Sequence, residues 1–533
     1  MPRYQYQPFA YTPPPELRGE SGARKKVVIV GAGPVGLSAA IDCALHGIEC
    51  TVLDDNNVVS LGSRAICWSK RTLEIMDRLG IGERMVEKGV TWKVGRLFHR
   101  DREVWSFDLL PEAGHKMPAF INLQQYYVEQ YLVERAGNFR DLIDLRWKNQ
   151  VTGVEPSGDG VRVSIETPDG AYEIDADWVI ACDGARSPIR AMMGLDFAGR
   201  VFEERFLIAD VEMQADFPSE RWFWFEPPFH KGQSALLHKQ PDNIYRIDLQ
   251  LGWDADPEVE KQPENVTPRI EAVVGHGDFT LDWVSVYTFQ CRRLDRFVHG
   301  RVVFAGDSAH IVSPFGARGG NGGIQDVDNL IWKLALVVRG EAPESLIATY
   351  DEERIHGADE NILNSARATG FMTPKSEMER VFRDAVLDLA GDHEFARRLV
   401  NSGRLSRPCS LKGMSLQTPG EGVGQAMADA PVANGRTGWL LDHFGGRFAV
   451  MAVETDMPDG LPDAIDRVFV TADPGKRAND ATTLIDVEGL VAARYGAGTT
   501  WLIRPDQHVA ARFESADSWA IIAACERARG ATP

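Results

Sequence analysis

The chain has 533 residues, of which 44% are hydrophobic and 25% charged, and a net charge of −19. It is long enough to bury more than one core, and it lacks the basic balance that a nucleic-acid-binding surface requires. No apolar run is long enough to cross a bilayer, the start (Met1-Pro-Arg-Tyr-Gln-Tyr-Gln-Pro8) has no signal-peptide core, and the seven cysteines are scattered with no C-x-x-C pair. The expectation is therefore a cytoplasmic protein without membrane insertion, disulfide framework or metal site.

Residues 1–24 form a Tyr- and Pro-rich arm that cannot fold alone and is either mobile or laid against the body. Next, Val27-Val-Ile-Val30 reads as a buried parallel strand, Gly31-Ala-Gly-Pro-Val-Gly36 as a tight turn, and Val35 to His46 as a helix. Gly31, Gly33, Pro34 and Gly36 thus surround a helix N-terminus whose unpaired N–H groups and positive dipole end would face a pyrophosphate. A second strand, Glu49-Cys-Thr-Val-Leu53, ends in Asp54, at the spacing expected of an acid that hydrogen-bonds a ribose.

Two later segments also follow apolar runs: Asp183-Gly184-Ala-Arg-Ser187 and, after Val302-Val-Phe-Ala305, Gly306-Asp307-Ser-Ala-His310. Between them, 201–294 reads as an antiparallel sheet. The chain is then helical to about Val400 and loop-rich beyond Pro408. Phe448 to Val453 and Arg467 to Val470 read as buried strands, Gly489 to Tyr495 as a helix end, and Thr500 to Ala510 as a hairpin.

With Ser63-Arg64-Ala65, Arg71-Thr-Leu-Glu74, Gln125-Tyr-Tyr-Val-Glu129 and Pro314-Phe-Gly-Ala-Arg-Gly-Gly-Asn321 in the same order, the chain resembles the single-component FAD-dependent aromatic hydroxylases from about Lys26 to Ala390. This is the family of para-hydroxybenzoate hydroxylase, phenol hydroxylase, 3-(3-hydroxyphenyl)propionate hydroxylase and pentachlorophenol monooxygenase. The resemblance implies an α/β fold. A Rossmann-like FAD-binding domain (25–200 and 295–395) would carry an inserted antiparallel-sheet substrate domain (201–294), followed by a linker (396–439) and a thioredoxin-like domain (440–533). Without a C-x-x-C pair the last unit cannot exchange dithiols and reads as a packing or dimerisation module. A homodimer is the family-level expectation.

The resemblance further implies that Asp307 anchors the ribose or ribityl region of FAD, and that Arg64 and Gln125 contact the cofactor. Asp183 and Arg186, with Arg190, would serve FAD and the NADPH or NADH reductant. Gly319, Gly320 and Asn321 would face the pyrimidine edge of the flavin, where a helix N-terminus stabilises the charge of the reduced ring. Pro314 would lie beside the flavin face, its carbonyl a plausible substrate contact. His310 reads as a structural hydrogen-bonding residue. The implied reaction is reduction of FAD, O2 addition at C4a and oxygen transfer from the hydroperoxide to a small phenolic substrate. Trp222, Trp224, His238, Tyr245, Arg246, Tyr287 and Gln290 are candidates for the pocket, with Pro314, Tyr245 and Arg246 placed nearest the chemistry.

Two other readings stay open. Trp222-Phe-Trp-Phe-Glu-Pro227 is close to the W-x-W-x-I-P signature of flavin-dependent halogenases, although Glu226 replaces the isoleucine. The chain could also be a flavin-binding scaffold without turnover.

Overall fold

The computed structural model describes residues 4–19, 23–252, 254–314, 316–400, 407–515 and 517–531. The two ends of the N-terminal arm, Phe315 of the proline-glycine motif and residues 401–406 of the linker lie outside these.

The β-branched run Lys25–Val30 forms the centre of an eight-stranded sheet because both its faces are covered. It pairs in parallel with Gly170–Ala181 on one side and Cys50–Asp54 on the other, and the sheet continues to Val302–Phe304 and Ile143–Trp147. The ends of three of these parallel strands therefore converge on one edge, carrying the Gly31, Asp183 and Gly306 motifs. Helices Pro34–Leu45 and Gly319–Val338 both join this core.

A second eight-stranded sheet includes Thr280–Arg293, Ala198–Glu212, Ile244–Leu251, Ser234–Lys239 and Arg221–Phe225 in that order. Val94–His99 and Arg102–Asp108 extend it beyond Arg221–Phe225, and the two-residue strand His310–Ile311 pairs with Thr280–Arg293 at the other edge. This corrects the expected boundary: 94–108 belongs to the substrate sheet although it lies within 25–200. Strand alternation gives the sheet two distinct faces. Leu207, Ala209, Tyr245, Ile247 and Leu249 pack with Val266 and Ile270 of helix Pro263–Val274. Phe206, Phe223, Phe225 and Leu236 point the other way, partly onto Met372, Val386, Leu387 and Ala390 of helices Ala348–Met372 and Glu377–Ala390.

The C-terminal unit is a seven-stranded sheet, and it also starts earlier than expected. Pro431–Asn434 and Arg436–Trp439, inside the supposed linker, pair into it next to Thr482–Asp486. The unit docks through a mixed interface. Trp332 and Leu336 share an apolar cluster with Phe448, Val450 and Leu502. Beside them is a buried charge network: Glu353 takes both Nη groups of Arg504, at 2.5 and 2.9 Å, and Lys333 Nζ at 2.8 Å. Arg504 also meets Asp506, while Arg71 donates to the Asp506 carbonyl at 2.7 Å, to Gln507 and to Asp328.

The arm lies against the body. Phe9 stacks on Trp147 at 4.6 Å, Tyr4 packs on Tyr126, and the Tyr6 hydroxyl accepts from the Gly62 N–H at 3.1 Å. No helix among the described residues is long and apolar enough to cross a membrane.

Burial acts most strongly on Glu353 and raises its pKa, but Arg504 and Lys333 outweigh it and hold the carboxyl well below its ordinary range. A depressed folded-state pKa gives stability that is fully present above the unfolded value of about 4.3 and lost as the pH falls below it. Glu353→Gln should therefore lower stability at pH 7 by about 3 kcal/mol or more in denaturant titrations, and its deficit should shrink toward pH 3. Arg398→Ala, which breaks the exposed pair with Glu394, should change stability by no more than about 0.5 kcal/mol.

Candidate active site

The glycine turn is shaped by close approach. Gly31 has φ +103°, and a Cβ there would lie 2.4 Å from the Cys182 carbonyl oxygen; a Cβ on Gly36 would lie 1.9 Å from the Gly31 oxygen. Two strand ends and the helix start are thus in backbone contact. Gly33 is the N-cap and Pro34 opens the helix, with nothing within 4 Å of a Cβ on Gly33. Asp54 braces the turn: its Oδ2 accepts from the Ala32 N–H at 2.6 Å and its Oδ1 from the Asn56 N–H at 2.8 Å. Burial nevertheless pushes its pKa up to about 6.

Two carboxylates at this edge retain free capacity. Asp183 Oδ2 accepts from Ser187 Oγ and the Ile189 N–H, while its buried Oδ1 has no partner. Asp307 accepts no hydrogen bond among the described residues, and burial raises its pKa against the charges of His310 and Arg64. His310 itself is structural as expected, bonded through Nε2 to Asp326 at 2.7 Å. Arg186 is exposed, but Arg190 is not available for phosphate. Its guanidinium donates to the Ser308 and Ala185 carbonyls and lies over the Phe197 ring.

These features fit FAD: a tight turn at a helix start, an acid after the second strand, and two further carboxylates with unfilled acceptor sites. Gly306 and Asp307 close the third strand end, and Gly319 and Gly320 open the 20-residue helix Gly319–Val338, whose first N–H groups have no intrahelical acceptor.

Several expected contacts are already committed within the protein. Asn321 is saturated: Nδ2 donates to the Cys67 and Ala317 carbonyls and Oδ1 accepts from Ser69, so its amide holds the loop and does not address the flavin. Gln125 bonds Ala65, Ser60 and Glu129, which fixes the 60–65 loop from behind. Arg64 is exposed with φ +43°, and its carbonyl accepts from Arg246 Nη1 at 2.6 Å. Arg246 also bonds Ser63 Oγ and pairs with Asp210 at 3.0 Å. It is a positioning residue between the sheet and the loop, not a free catalytic cation.

A cleft lies between the substrate sheet and the segments that carry Cys67, Trp92, Pro314 and Ala317. Cys67, Trp92, Pro314 and Ala317 line it from the FAD-binding side; Phe206, Ile208, Leu236, Arg221, His238 and Asp248 line it from the substrate sheet. The strand register explains the second group. Asp210, Arg246, His238 and Arg221 are cross-strand neighbours in one row, and Ile208, Asp248 and Leu236 form the next. Of the expected pocket residues, His238 and Pro314 are therefore in place. His238 is buried, and burial, reinforced by Arg221 and Arg246, pushes its pKa well down, so the ring is neutral at pH 7.

The same alternation removes others. Tyr245 faces the helix side, where its hydroxyl donates to the Ala215 carbonyl at 2.7 Å. Trp222 and Trp224 also turn away, packing on Phe98, with Phe217 and Phe229 beside them. Gln290 alternates with Cys291 and sits on the opposite face from it. Tyr287 is 50% exposed, shares the face of Phe206, and lies within electrostatic reach of Asp307, Arg64 and Arg186. It stands at the cofactor edge and does not line the cleft. Sequence reasoning missed Arg221 and Asp248. The available signal was the two-residue period: once His238 and Arg246 face inward, their neighbours in register must as well.

A cofactor edge built from three strand ends, beside a cleft walled by an antiparallel sheet, defines a flavin-dependent oxidoreductase. Residues 24–365 match the FAD binding domain family, and the chain belongs to that family. A 3-(3-hydroxy-phenyl)propionate/3-hydroxycinnamic acid hydroxylase of Burkholderia cenocepacia (strain HI2424) is 28% identical over 540 residues, covering 95% of this chain and 97% of the relative. A 12-dehydrotetracycline 5-monooxygenase/anhydrotetracycline 6-monooxygenase of Streptomyces rimosus subsp. rimosus is 28% identical, covering 87% and 93%. Among solved structures, the flavin-dependent monooxygenase PieE in complex with FAD and substrate aligns with TM-score 0.78 at 22% identity, covering 96% of this chain and all of that one. The protein is an FAD-dependent monooxygenase of the aromatic hydroxylase group.

Gly36→Ala forces a methyl group into the Gly31 carbonyl and should abolish retention of FAD, read as the flavin-to-protein absorbance ratio after purification. Gly137→Ala, at a helical position with φ −58° and nothing within 4 Å, should leave that ratio unchanged.

Proposed function

We propose that the protein hydroxylates a phenolic ring using NADPH or NADH and O2. The observation that carries this reading is the cleft itself, apolar on the Pro314 side and furnished on the sheet side with buried polar groups, of which Asp248 Oδ1 has no hydrogen-bond partner. FAD, when bound, supplies electron uptake from the nicotinamide and the activation and transfer of oxygen. The chain supplies position, polarity and dryness. Asp183, Asp307 and the Gly31–Gly36 turn would hold the cofactor, and Arg186 is an exposed cation suited to phosphate of the reductant.

In the cleft, Asp248 Oδ1 is buried without a hydrogen-bond partner, and burial pushes the carboxyl pKa up to about 6. A phenol that donates to this oxygen gains phenolate character, which makes its ring carbons more nucleophilic toward an electrophilic oxygen. Aromatic and aliphatic walls limit water, which would otherwise divert the reduced cofactor to peroxide release. The halogenase reading is disfavoured by position, because Trp222 and Trp224 face away from the cleft. The strand order of the C-terminal sheet, with Thr499–Ile503 antiparallel to Ala449–Val453 and Val509–Phe513 at its edge, supports the reading of a thioredoxin-like packing unit.

NADH and NADPH oxidation by the flavin-loaded protein should be accelerated by at least one member of a panel of phenols, hydroxybenzoates and hydroxyphenylpropionates. The product should gain one labelled oxygen from labelled O2 by mass spectrometry. Asp248→Asn should retain FAD and lower kcat about 100-fold or more. Oxidation indifferent to every aromatic would refute the reading.

A further inference from the structure

Residues 55–66, which join Cys50–Asp54 to the short strand Cys67–Ser69, contain neither helix nor strand. Both ends of this link belong to the cofactor edge. It leaves Asp54, whose carboxylate braces the glycine turn, and it carries Arg64, which lies within electrostatic reach of Asp307. Of its apolar side chains only Val59 and Ile66 are buried, and Leu61 is exposed, so packing alone does not fix its path. Hydrogen bonds from outside do. Glu129 and Gln125 hold Ser60 and Ala65 from helix Gln125–Ala136, and Arg246 holds Ser63 and the Arg64 carbonyl from the substrate sheet. The third set of anchors is the N-terminal arm. The Phe9 N–H donates to the Asn57 carbonyl at 2.7 Å, and Asn57 Nδ2 returns a bond to the Phe9 carbonyl at 2.9 Å. The Phe9 ring stacks on Trp147, the strand partner of Asp54. Further along, the Gly62 N–H finds its one acceptor among the described residues in the Tyr6 hydroxyl. Gly62 is pressed from the other side by the Trp283 indole, which a Cβ would meet at 2.4 Å.

We propose that the arm is part of the FAD site: it is a strap across the 55–66 link, and Tyr6 is a positioning residue that sets how firmly the cofactor is held. The inference rests on FAD binding and not on the hydroxylation reading. Ordering a segment that joins no sheet costs conformational entropy, and the arm offsets this at two fixed points. Glu16 takes both Nη groups of Arg146, at 2.9 and 3.2 Å, in a pair whose side chains are almost wholly buried. Tyr4 packs on Tyr126 and donates to Gln130 at 3.3 Å. Between these points Tyr6 and Phe9 meet the link. A cofactor that finds the link already ordered does not have to order it on binding. Arm docking and FAD binding therefore favour each other, by the same factor in both directions.

The test is the rate at which FAD leaves the diluted, oxidised protein, followed as the gain of free-flavin fluorescence without NADH, NADPH or any aromatic compound. Tyr6→Phe removes one hydroxyl and should speed release roughly 3- to 10-fold, the effect of one ordinary hydrogen bond. The double variant Tyr6→Ala, Phe9→Ala should speed it by more than Tyr6→Phe alone. Tyr11→Phe makes the same chemical change in the same arm, at a hydroxyl with no hydrogen-bond partner, and should leave release unchanged. In FAD-free protein, Tyr6→Phe should keep the wild-type thermal midpoint, which separates positioning from general stabilisation. Reciprocally, amide hydrogen exchange in residues 4–14 should slow when wild type is loaded with FAD. Release unchanged in both Tyr6 variants, arm exchange indifferent to FAD, or a midpoint lowered equally with and without FAD would each overturn the proposal. Because no turnover is read, none of these outcomes bears on the proposed hydroxylation, and a protein that hydroxylates nothing leaves the strap standing.

Discussion

The pairing of Arg246 with Asp210 organises the catalytic half of the molecule. Both residues belong to the substrate sheet, yet the remaining donors of Arg246 reach across to Ser63 and to the Arg64 carbonyl in a loop of the FAD-binding domain. A buried guanidinium with all its partners in place is rigid, because losing any one of them exposes the full desolvation cost of a charge. The loop therefore cannot shift relative to the sheet without breaking an ion pair. Cofactor edge and substrate wall are held to a common origin although Arg246 lies 182 residues from Arg64 in the chain.

The cleft follows from this registration. Its depth is set by side chains of alternate residues, and its floor by Pro314 and Ala317 just before the long helix. The apolar members need no explanation beyond packing. The polar ones, His238, Arg221 and Asp248, sit where an enzyme could have placed leucine at no cost to stability. The burial of Asp248 Oδ1 without a hydrogen-bond partner marks the cleft as a place where folding energy was given up for recognition.

How far the sequence was legible depended on whether a signal was local. Val27 to Gly36 could be read because strand, turn and helix are each written in consecutive residues, and the structure reproduces them almost to the residue. The antiparallel sheet was visible as strands, but its faces were not. Trp222, Trp224 and Tyr245 drew attention as aromatics, and alternation put them under a helix. Asn321 and Gln125 matched motif positions, but their amides prove to be consumed by the protein's own loops, which only three-dimensional bookkeeping of donors and acceptors can show. Val94–Asp108 and Pro431–Trp439 were misassigned to domains because strand partners distant in sequence leave no local trace.

Arg71 gives the Arg71-Thr-Leu-Glu74 segment a different significance from that of a cofactor signature. Its guanidinium is buried against the Asp506 carbonyl, Gln507 and Asp328, so a helix beside the cofactor core is fastened to the far end of the chain. The C-terminal unit is thus not a passenger that evolution could add or drop at a linker. Shedding it would strand Arg71, Lys333 and Glu353 on a newly bared surface, and acquiring it required complementary charges on both sides. The two parts are bound to drift together, and chimeras assembled by exchanging tails between relatives will work only where this set of charges travels intact.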